Sequence, residues 1–140
     1  MKGKADAVLF IRALHNLSRF EEKGGYLSSA LEETYAVLKP GGIVGVVQHQ
    51  AREDRPDSWA TGANGYLKKS ALIAKMQASG FEFVGESSIN ENPLDQATEG
   101  DIVWRLPPVL NGSRDDEAKK AAMLAIGESH RMTLKFRKPL

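Results

Sequence analysis

Two histidines that follow apolar stretches are the residues of this chain best suited to chemistry. His15 comes shortly after the apolar segment Ala5–Ile11, and His49 ends a second apolar run that begins at Ile43. A neutral imidazole can accept a proton near pH 7, so each histidine can serve as a general base or hold a substrate by a hydrogen bond. The alternative is that both are loop histidines bonded to the backbone. We predict His15 and His49 as the catalytic candidates.

Other side chains near the same strand ends are predicted to form a cleft around these histidines. We place four residues in this substrate or cofactor cleft: Arg12, Asn16, Gln48 and Trp104. The guanidinium of Arg12 presents a fork of donors that suits an anionic carboxylate, and an ion pair with Glu53 or Asp54 would use the same donors. Trp104 and Tyr66 could form aromatic walls or pack in the core. A metal site needs three or four converging ligands, which two histidines do not supply.

The elements that position these residues are organised around the stretch 38–49, LKPGGIVGVVQH. Pro40 cannot continue a helix, two glycines allow a sharp reversal, and an apolar run without alternation follows. Such a run predicts a strand that is buried on both faces, as in parallel sheets covered by helices. Its polar end, at Gln48 and His49, falls at the carboxyl edge of the sheet, where open α/β sheets bind their ligands.

Sequence patterns predict the remaining elements of a single α/β domain over residues 1–140. Strands are predicted at 5–11, 43–49, 81–85 and 131–137, and helices at 26–38, 66–79 and 115–126. Residues 50–65 and 86–100 are predicted loops, the first a candidate lid, and 102–106 is a short strand or lid segment. We expect a four-stranded sheet in the order first, second, fourth, third, with the fourth strand antiparallel and helices on both faces.

Composition excludes several classes of function. The chain has 140 residues, of which 41% are hydrophobic and 26% charged, and its net charge of +1 provides no field for holding a nucleic acid. The absence of cysteine excludes disulfides, thiolate metal sites and a cysteine nucleophile. Because no apolar run approaches the length of about 18 residues that a membrane span requires, we expect no membrane partner. The absence of cysteine and of a visible signal peptide leads us to expect a cytoplasmic protein.

Several segments, in their order along the chain, resemble the class I S-adenosylmethionine-dependent methyltransferases. ADAVLFIRALHNL is similar to the fourth strand of that family and the loop after it, and LEETYAVLKPGGIVGVVQHQ is similar to the helix, turn and fifth strand that follow. AKMQASGFEFVGESSINENPLD, WRLPPVL and IGESHRMTLKFRKP are similar to the later segments. The resemblance covers the whole chain and is to the C-terminal half of a group of predicted small-molecule methyltransferases.

This resemblance implies methyl transfer from S-adenosylmethionine to a small molecule of unknown identity. The family holds the cofactor mainly with its first three strands, and the glycine-rich turn that follows its first strand has no counterpart in this sequence. We therefore expect a truncated methyltransferase that is inactive as this chain alone. The alternative is a non-catalytic α/β module, or remnant, that dimerises and keeps a residual ligand pocket.

The first predicted strand, at residues 5–11, is expected to lack a neighbour on its outer edge. Unpaired backbone groups and apolar side chains at such an edge favour association with another strand. We predict a homodimer in which this strand pairs with its own copy across a two-fold axis.

Overall fold

A five-stranded sheet forms the centre of the computed structural model, which describes residues 2–140. The strands are β1 (Ala5–Ile11), β2 (Leu38–Ala51), β3 (Leu67–Lys68), β4 (Glu82–Ser87) and β5 (Arg131–Arg137). The helices are α1 (Leu14–Ser18), α2 (Glu21–Gly24), α3 (Tyr26–Val37), α4 (Lys69–Ala78) and α5 (Glu117–Ile126), and a short 3₁₀ helix spans Val103–Arg105. The predicted mixed α/β class is therefore confirmed.

The sheet has the order β1-β2-β5-β4, with β3 beside the end of β2. Strands β1 and β2 run parallel, and β5 runs antiparallel to both β2 and β4. The prediction of four strands is wrong, because the chain returns after its long loop and pairs Leu67 and Lys68 in parallel with Gln50 and Ala51. A two-residue strand is too short to show an alternating pattern, so the sequence carries no signal for β3.

Helix α3 leads directly into β2 without a separate turn. Leu27, Leu31 and Thr34 are buried on one side of the helix at spacings of three and four residues. Leu38 already has extended backbone angles, which suits a residue so close to Pro40, and Gly41 adopts a left-handed φ of 77°. The predicted LKPGG turn is thus the first part of a strand of 14 residues.

Most buried side chains of the sheet lie on one face. Val44 and Val46 are buried against leucines of α1 and α3, whereas the alternate residues of β2 are only partly covered. On the other face Leu9 is 68% exposed and Ile11 is 51% exposed. The prediction that these strands are buried on both faces is therefore wrong for β1 and β2. We call the uncovered side of the sheet, marked by Leu9 and Ile11, the open face.

Three predicted helical or loop segments differ in detail. The helix expected from Tyr66 begins only at Lys69, because Tyr66 is fully buried in a second apolar cluster and the next two residues form β3. The segment 102–106 contains the 3₁₀ helix instead of a strand. The last helix begins at Glu117, where the side chain of Asp116 accepts a hydrogen bond from the amide of Lys119. No helix within residues 2–140 is long and apolar enough to cross a membrane.

Candidate functional site

A cavity of about 390 Å³ opens where β1 and β2 end. One side is formed by Arg12, His15 and Asn16, which follow β1, and His49 of β2 lies next to them. The 3₁₀ helix and the prolines after it form the opposite wall. The turn that leads into β5 forms a further wall. Five of the six predicted site residues therefore line one cavity, since Trp104 belongs to the opposite wall. Gln48 does not line it.

Gln48 lies behind the cavity, on the covered face of β2. Its side chain is fully buried, and its amide oxygen accepts hydrogen bonds from the backbone amide of His15 at 3.2 Å and from His15 Nδ1 at 3.3 Å. Its amide nitrogen donates to the carbonyl of Gly65 at 2.9 Å. Because an amide oxygen only accepts, this contact places the proton of neutral His15 on Nδ1 and leaves Nε2 as an acceptor.

His15 and His49 lie next to each other in the cavity, with their ring centroids 5.4 Å apart. Burial is the main cause of the lowered pKa of His15, which the hydrogen bond to Gln48 partly offsets. Burial also lowers the pKa of His49 to about 4, with further contributions from the charges of Arg131 and Arg12 and from His15 when it is protonated. His49 Nδ1 shares a 2.6 Å hydrogen bond with Ser129 Oγ. Both imidazoles are therefore neutral at pH 7.

Arg12 reaches the cavity from the end of β1 without any ion pair or side-chain hydrogen bond to residues 2–140. Of the two partners considered above, Asp54 pairs with Arg52 and Glu53 bonds to Ser70. The backbone of Arg12 has a φ of 54°, in the left-handed region that non-glycine residues seldom adopt. Asn16 lies one helical position beyond His15 and is exposed at the same opening.

The two candidate aromatic walls separate in the structure. Trp104 lies edge-on to the ring of His15, with the centroids 5.9 Å apart, and lines the cavity. Tyr66 instead stacks on Trp59 with centroids 5.4 Å apart. Its hydroxyl donates to a carboxylate oxygen of Asp95 at 2.9 Å. Tyr66 is thus a core residue behind the cavity, and burial next to Asp95 raises its pKa.

A buried polar network that sequence analysis missed holds the wall that carries Trp104. The Asp95 carboxylate has no exposed surface and pairs with Arg105 Nη2 at 2.8 Å. It also accepts hydrogen bonds from the Tyr66 hydroxyl and, at 3.0 Å, from the backbone amide of His130. Asp95 lies in a polar loop, where an aspartate is usually solvated, so the sequence offered no signal for this role.

Residues at the start of β5 complete the cavity and were also missed. Arg131 is the direct cross-strand neighbour of His49. Its Nη2 pairs with Glu128 at 2.6 Å, while its Nε is buried and forms no hydrogen bond within residues 2–140. Ser129 supplies the hydroxyl next to His49. These residues lie about 80 positions from His49 in the sequence, and only the antiparallel insertion of β5 brings them there.

Two glycines let the long loop approach this site closely. Gly62 has a φ of 97° and lies against the carbonyl of His15, so a Cβ there would overlap that oxygen. Gly65 has a φ of 90°, and a Cβ there would overlap the side chain of Val103. Both positions require glycine for backbone conformation and for space. The loop is thereby fixed against α1 and the 3₁₀ helix.

Solved structures share this arrangement of strands and helices. The (4+2)-cyclase SpnF has 24% sequence identity and a TM-score of 0.59, and the match covers 99% of this chain and 51% of SpnF. A Bacillus halodurans protein assigned as a methyltransferase has 16% identity and a TM-score of 0.57, over 100% of this chain and 72% of that one. No protein-family model matches the sequence, and no curated protein matches it.

A third similar structure contains its ligands. It is the Burkholderia thailandensis 1,6-didemethyltoxoflavin-N1-methyltransferase with bound 1,6-didemethyltoxoflavin and S-adenosylhomocysteine, with 11% identity and a TM-score of 0.53. The match covers 100% of this chain and 46% of that enzyme. The chain has a class I methyltransferase fold. The chain spans about half the length of SpnF and of the Burkholderia enzyme. Because one of the similar structures is a cyclase, a methyltransferase fold does not by itself fix the reaction.

Proposed function

We propose that this chain is the acceptor-binding part of an S-adenosylmethionine-dependent methyltransferase that acts on a small molecule. The observation that carries the proposal is the cavity at the ends of β1 and β2, in which two neutral histidines lie next to each other within a methyltransferase fold. Open α/β sheets bind ligands at this edge, and a volume of about 390 Å³ suits a small molecule.

His15 is the better candidate for the general base. Gln48 holds the Nδ1 proton, so the Nε2 lone pair of His15 is available to accept a proton from a hydroxyl or amine of the acceptor. His49 is a much weaker base because its pKa is near 4, and its Nδ1 is already engaged by Ser129. We assign His49 the role of positioning the acceptor by a hydrogen bond. Asn16 and Arg12 lie at the opening and would contact the ligand first.

The cavity does not form a complete site for S-adenosylmethionine. Within residues 2–140, its one carboxylate, Glu128, is held by Arg131, so no free acid faces the cavity to bind a ribose diol. No glycine lies in its wall, so it offers no close backbone cradle for the amino-acid end of the cofactor. The residues present fit an acceptor and not the whole nucleoside. We propose that a further segment or a partner chain supplies the remaining cofactor contacts.

The test is a titration of S-adenosylhomocysteine into ¹⁵N-labelled protein, followed by amide chemical shifts. We expect weak, saturable binding in the millimolar range, because the cavity supplies only part of the cofactor's contacts, with shifts at Arg12, His15 and Asn16. ATP serves as the control nucleotide and should not shift these amides. The absence of specific shifts at millimolar ligand would contradict a methyltransferase role for this chain.

A second candidate function is a dimerising module that binds a ligand without turning it over. The observation that favours it is the open face, where Leu9 and Ile11 are exposed beside the edge of β1 that pairs with no strand of residues 2–140. An edge strand with exposed apolar residues is a template for pairing with another chain. We propose that a second copy pairs with β1 across a two-fold axis, because such isologous contacts are the commonest in soluble oligomers.

A further inference from the structure

Both apolar and charged side chains line the cavity. Trp104, Leu106 and Pro108 are among its apolar residues, and Arg12, Arg131 and Glu128 are its charged residues. An indole in the wall favours a ring, because aromatic pairs gain about 0.5–1.5 kcal/mol beyond the burial of area. The lining therefore points to a ligand with an aromatic body and a polar end.

The side chain of Arg12 is available to a ligand, and its backbone has an unusual conformation. It forms no ion pair or side-chain hydrogen bond with residues 2–140, and the nearby acids in the sequence, Glu53 and Asp54, are bonded to Ser70 and Arg52 instead. Its left-handed φ of 54° raises the conformational free energy of the backbone at this arginine. Residues kept in such sparsely populated conformations cluster at ligand sites.

Arg131 has one donor that the protein leaves unsatisfied. Its side chain is 15% exposed, and Glu128 accepts only from Nη2. The Nε donor is buried without a hydrogen bond within residues 2–140. A buried donor without a partner costs about 1–3 kcal/mol, so an acceptor atom of a ligand beside Arg131 would remove that cost. Both arginines are close enough to His49 for their charges to contribute to its lowered pKa.

The charges around the cavity leave it with one net positive charge. Arg12 and Arg131 contribute two positive charges, and Glu128 contributes one negative charge. Both histidines are neutral at pH 7, as shown by the directions of their pKa values. A monoanion would therefore balance the cavity, whereas a dianion or a cation would not. Planar guanidinium groups bind carboxylates through paired hydrogen bonds, which makes a carboxylate the best-matched anion.

We propose that the cavity binds a small aromatic carboxylate, with the carboxylate between Arg12 and Arg131 and the ring against Trp104. A ring hydroxyl or amine on such a molecule would lie toward the two histidines. The identification of this ligand as the methyl acceptor rests on the function proposed above, but its binding does not.

The experiment is calorimetric titration of benzoate, 4-hydroxybenzoate and benzamide into the full chain. We expect both carboxylates to bind saturably and benzamide, the neutral analogue of benzoate, to bind at least about tenfold more weakly, because hydrogen bonds to charged groups are worth about 1.5–3 kcal/mol. Equal affinities for benzoate and benzamide would overturn the proposal without the use of any variant, as would no carboxylate binding at millimolar concentration.

Two variants test whether the carboxylate binds in the cavity. Arg12→Gln should weaken benzoate binding about tenfold or more and leave benzamide binding unchanged. Arg137→Gln is the matched control, because Arg137 is exposed, pairs with Glu82 and lies outside the cavity. Thermal unfolding of each variant confirms that it is folded. Equal benzoate affinities of the two variants would overturn the assignment.

The two proposals fail separately. Binding of benzoate with no response to S-adenosylhomocysteine would support the carboxylate site and contradict the methyltransferase role. A specific response to S-adenosylhomocysteine with no binding of benzoate would leave the methyltransferase role in place and overturn the aromatic carboxylate as its acceptor.

Discussion

The buried amide of Gln48 connects three parts of the site at the scale of single residues. Its oxygen accepts from His15, and its nitrogen donates to the carbonyl of Gly65 in the long loop. Replacement by leucine would leave these backbone groups and His15 Nδ1 without partners. The side chain is therefore a positioning residue for the proposed base, although it does not reach the cavity itself.

We predict that Gln48→Leu lowers the free energy of unfolding by about 1–3 kcal/mol, the usual cost of unsatisfied buried groups. The pKa of His15 should fall further, because the lost hydrogen bond is the contribution that raises it. Urea unfolding measures the first effect and NMR titration of the imidazole the second. Gln77→Leu, at an exposed position of α4, is the control and should change neither. An unchanged His15 pKa in Gln48→Leu would contradict the positioning role.

His49 predicts a pH dependence of stability. Its pKa is about 4 in the folded chain and 6.5 in the unfolded reference. Above pH 6.5 both states are neutral and the shift has no effect, whereas between pH 6.5 and 4 the unfolded state binds more protons and the folded state is destabilised. The full loss approaches about 3.5 kcal/mol, at about 1.4 kcal/mol per pKa unit.

The measurement is urea unfolding of the wild type and of His49→Gln at pH 7.5 and pH 5. We expect the variant to lose less stability over this interval, because glutamine does not titrate. Carboxylates contribute equally to both proteins, so the difference between the two slopes isolates His49. Identical slopes would show that His49 is not the buried neutral histidine described here.

The positions of most site residues could be predicted from the points at which two strands end. His15, Asn16, Arg12 and His49 come together because parallel strands end at the same edge, which the sequence pattern predicts. The cleft predicted for Gln48 differs from its place behind the cavity, because Gln48 alternates with Val44 and Val46 on the covered face of a strand that was expected to be buried on both faces. Ser129 and Arg131 could not be predicted, because nothing local indicates that β5 pairs beside His49.

At the scale of elements, the wall that carries Trp104 depends on the Asp95 network. Arg105 belongs to the same 3₁₀ helix as Trp104, and Asp95 ties it to Tyr66 and to the start of β5. Removal of one partner of a buried ion pair leaves an uncompensated charge. This network therefore connects the polar loop, the wall and the entry to β5.

We predict that Asp95→Asn lowers the free energy of unfolding by about 3 kcal/mol or more, because Arg105 loses its buried counter-ion. Asp101→Asn is the matched control: Asp101 pairs with the same arginine at 3.4 Å but is partly exposed, and its loss should cost less than about 1 kcal/mol. Guanidinium unfolding of both variants provides the comparison. Equal losses would show that Asp95 is not the main partner of Arg105.

The boundaries of elements were predictable where pattern and composition agree. Strands β1 and β5 have the predicted limits, because each is a short run bounded by charged or turn residues. The start of α4 was not predictable. Tyr66 and Leu67 are apolar residues that fit the first turn of a helix as well as they fit the buried loop and the strand β3 that they form. The burial of Tyr66 is decided by contacts with Trp59 and Asp95, and that of Leu67 by the main apolar cluster.

At the scale of the whole molecule, the prediction of a homodimer depends on the open face and on the edge of β1 that has no partner within residues 2–140. Sedimentation should give a mass that rises with concentration towards twice that of the chain. Leu9→Lys places a charge beside this edge and should give a monomer. Leu94→Lys is the control, because Leu94 is 63% exposed, close to the 68% of Leu9, and lies in a distant loop. A monomeric wild type, or equal effects of the two substitutions, would contradict the homodimer.

The position of β5 in the sheet has a consequence for the order in which this chain folds. Strand β4 contacts the rest of the sheet through β5, and β5 itself pairs with β2 between residues that are as far apart as Ile43 and Arg137. On the ribosome, therefore, β2 and β4 are synthesised long before the strand that joins them. Until residues 131–137 emerge, β2 and β4 each expose an unpaired edge, so completion of the sheet is a late event of synthesis.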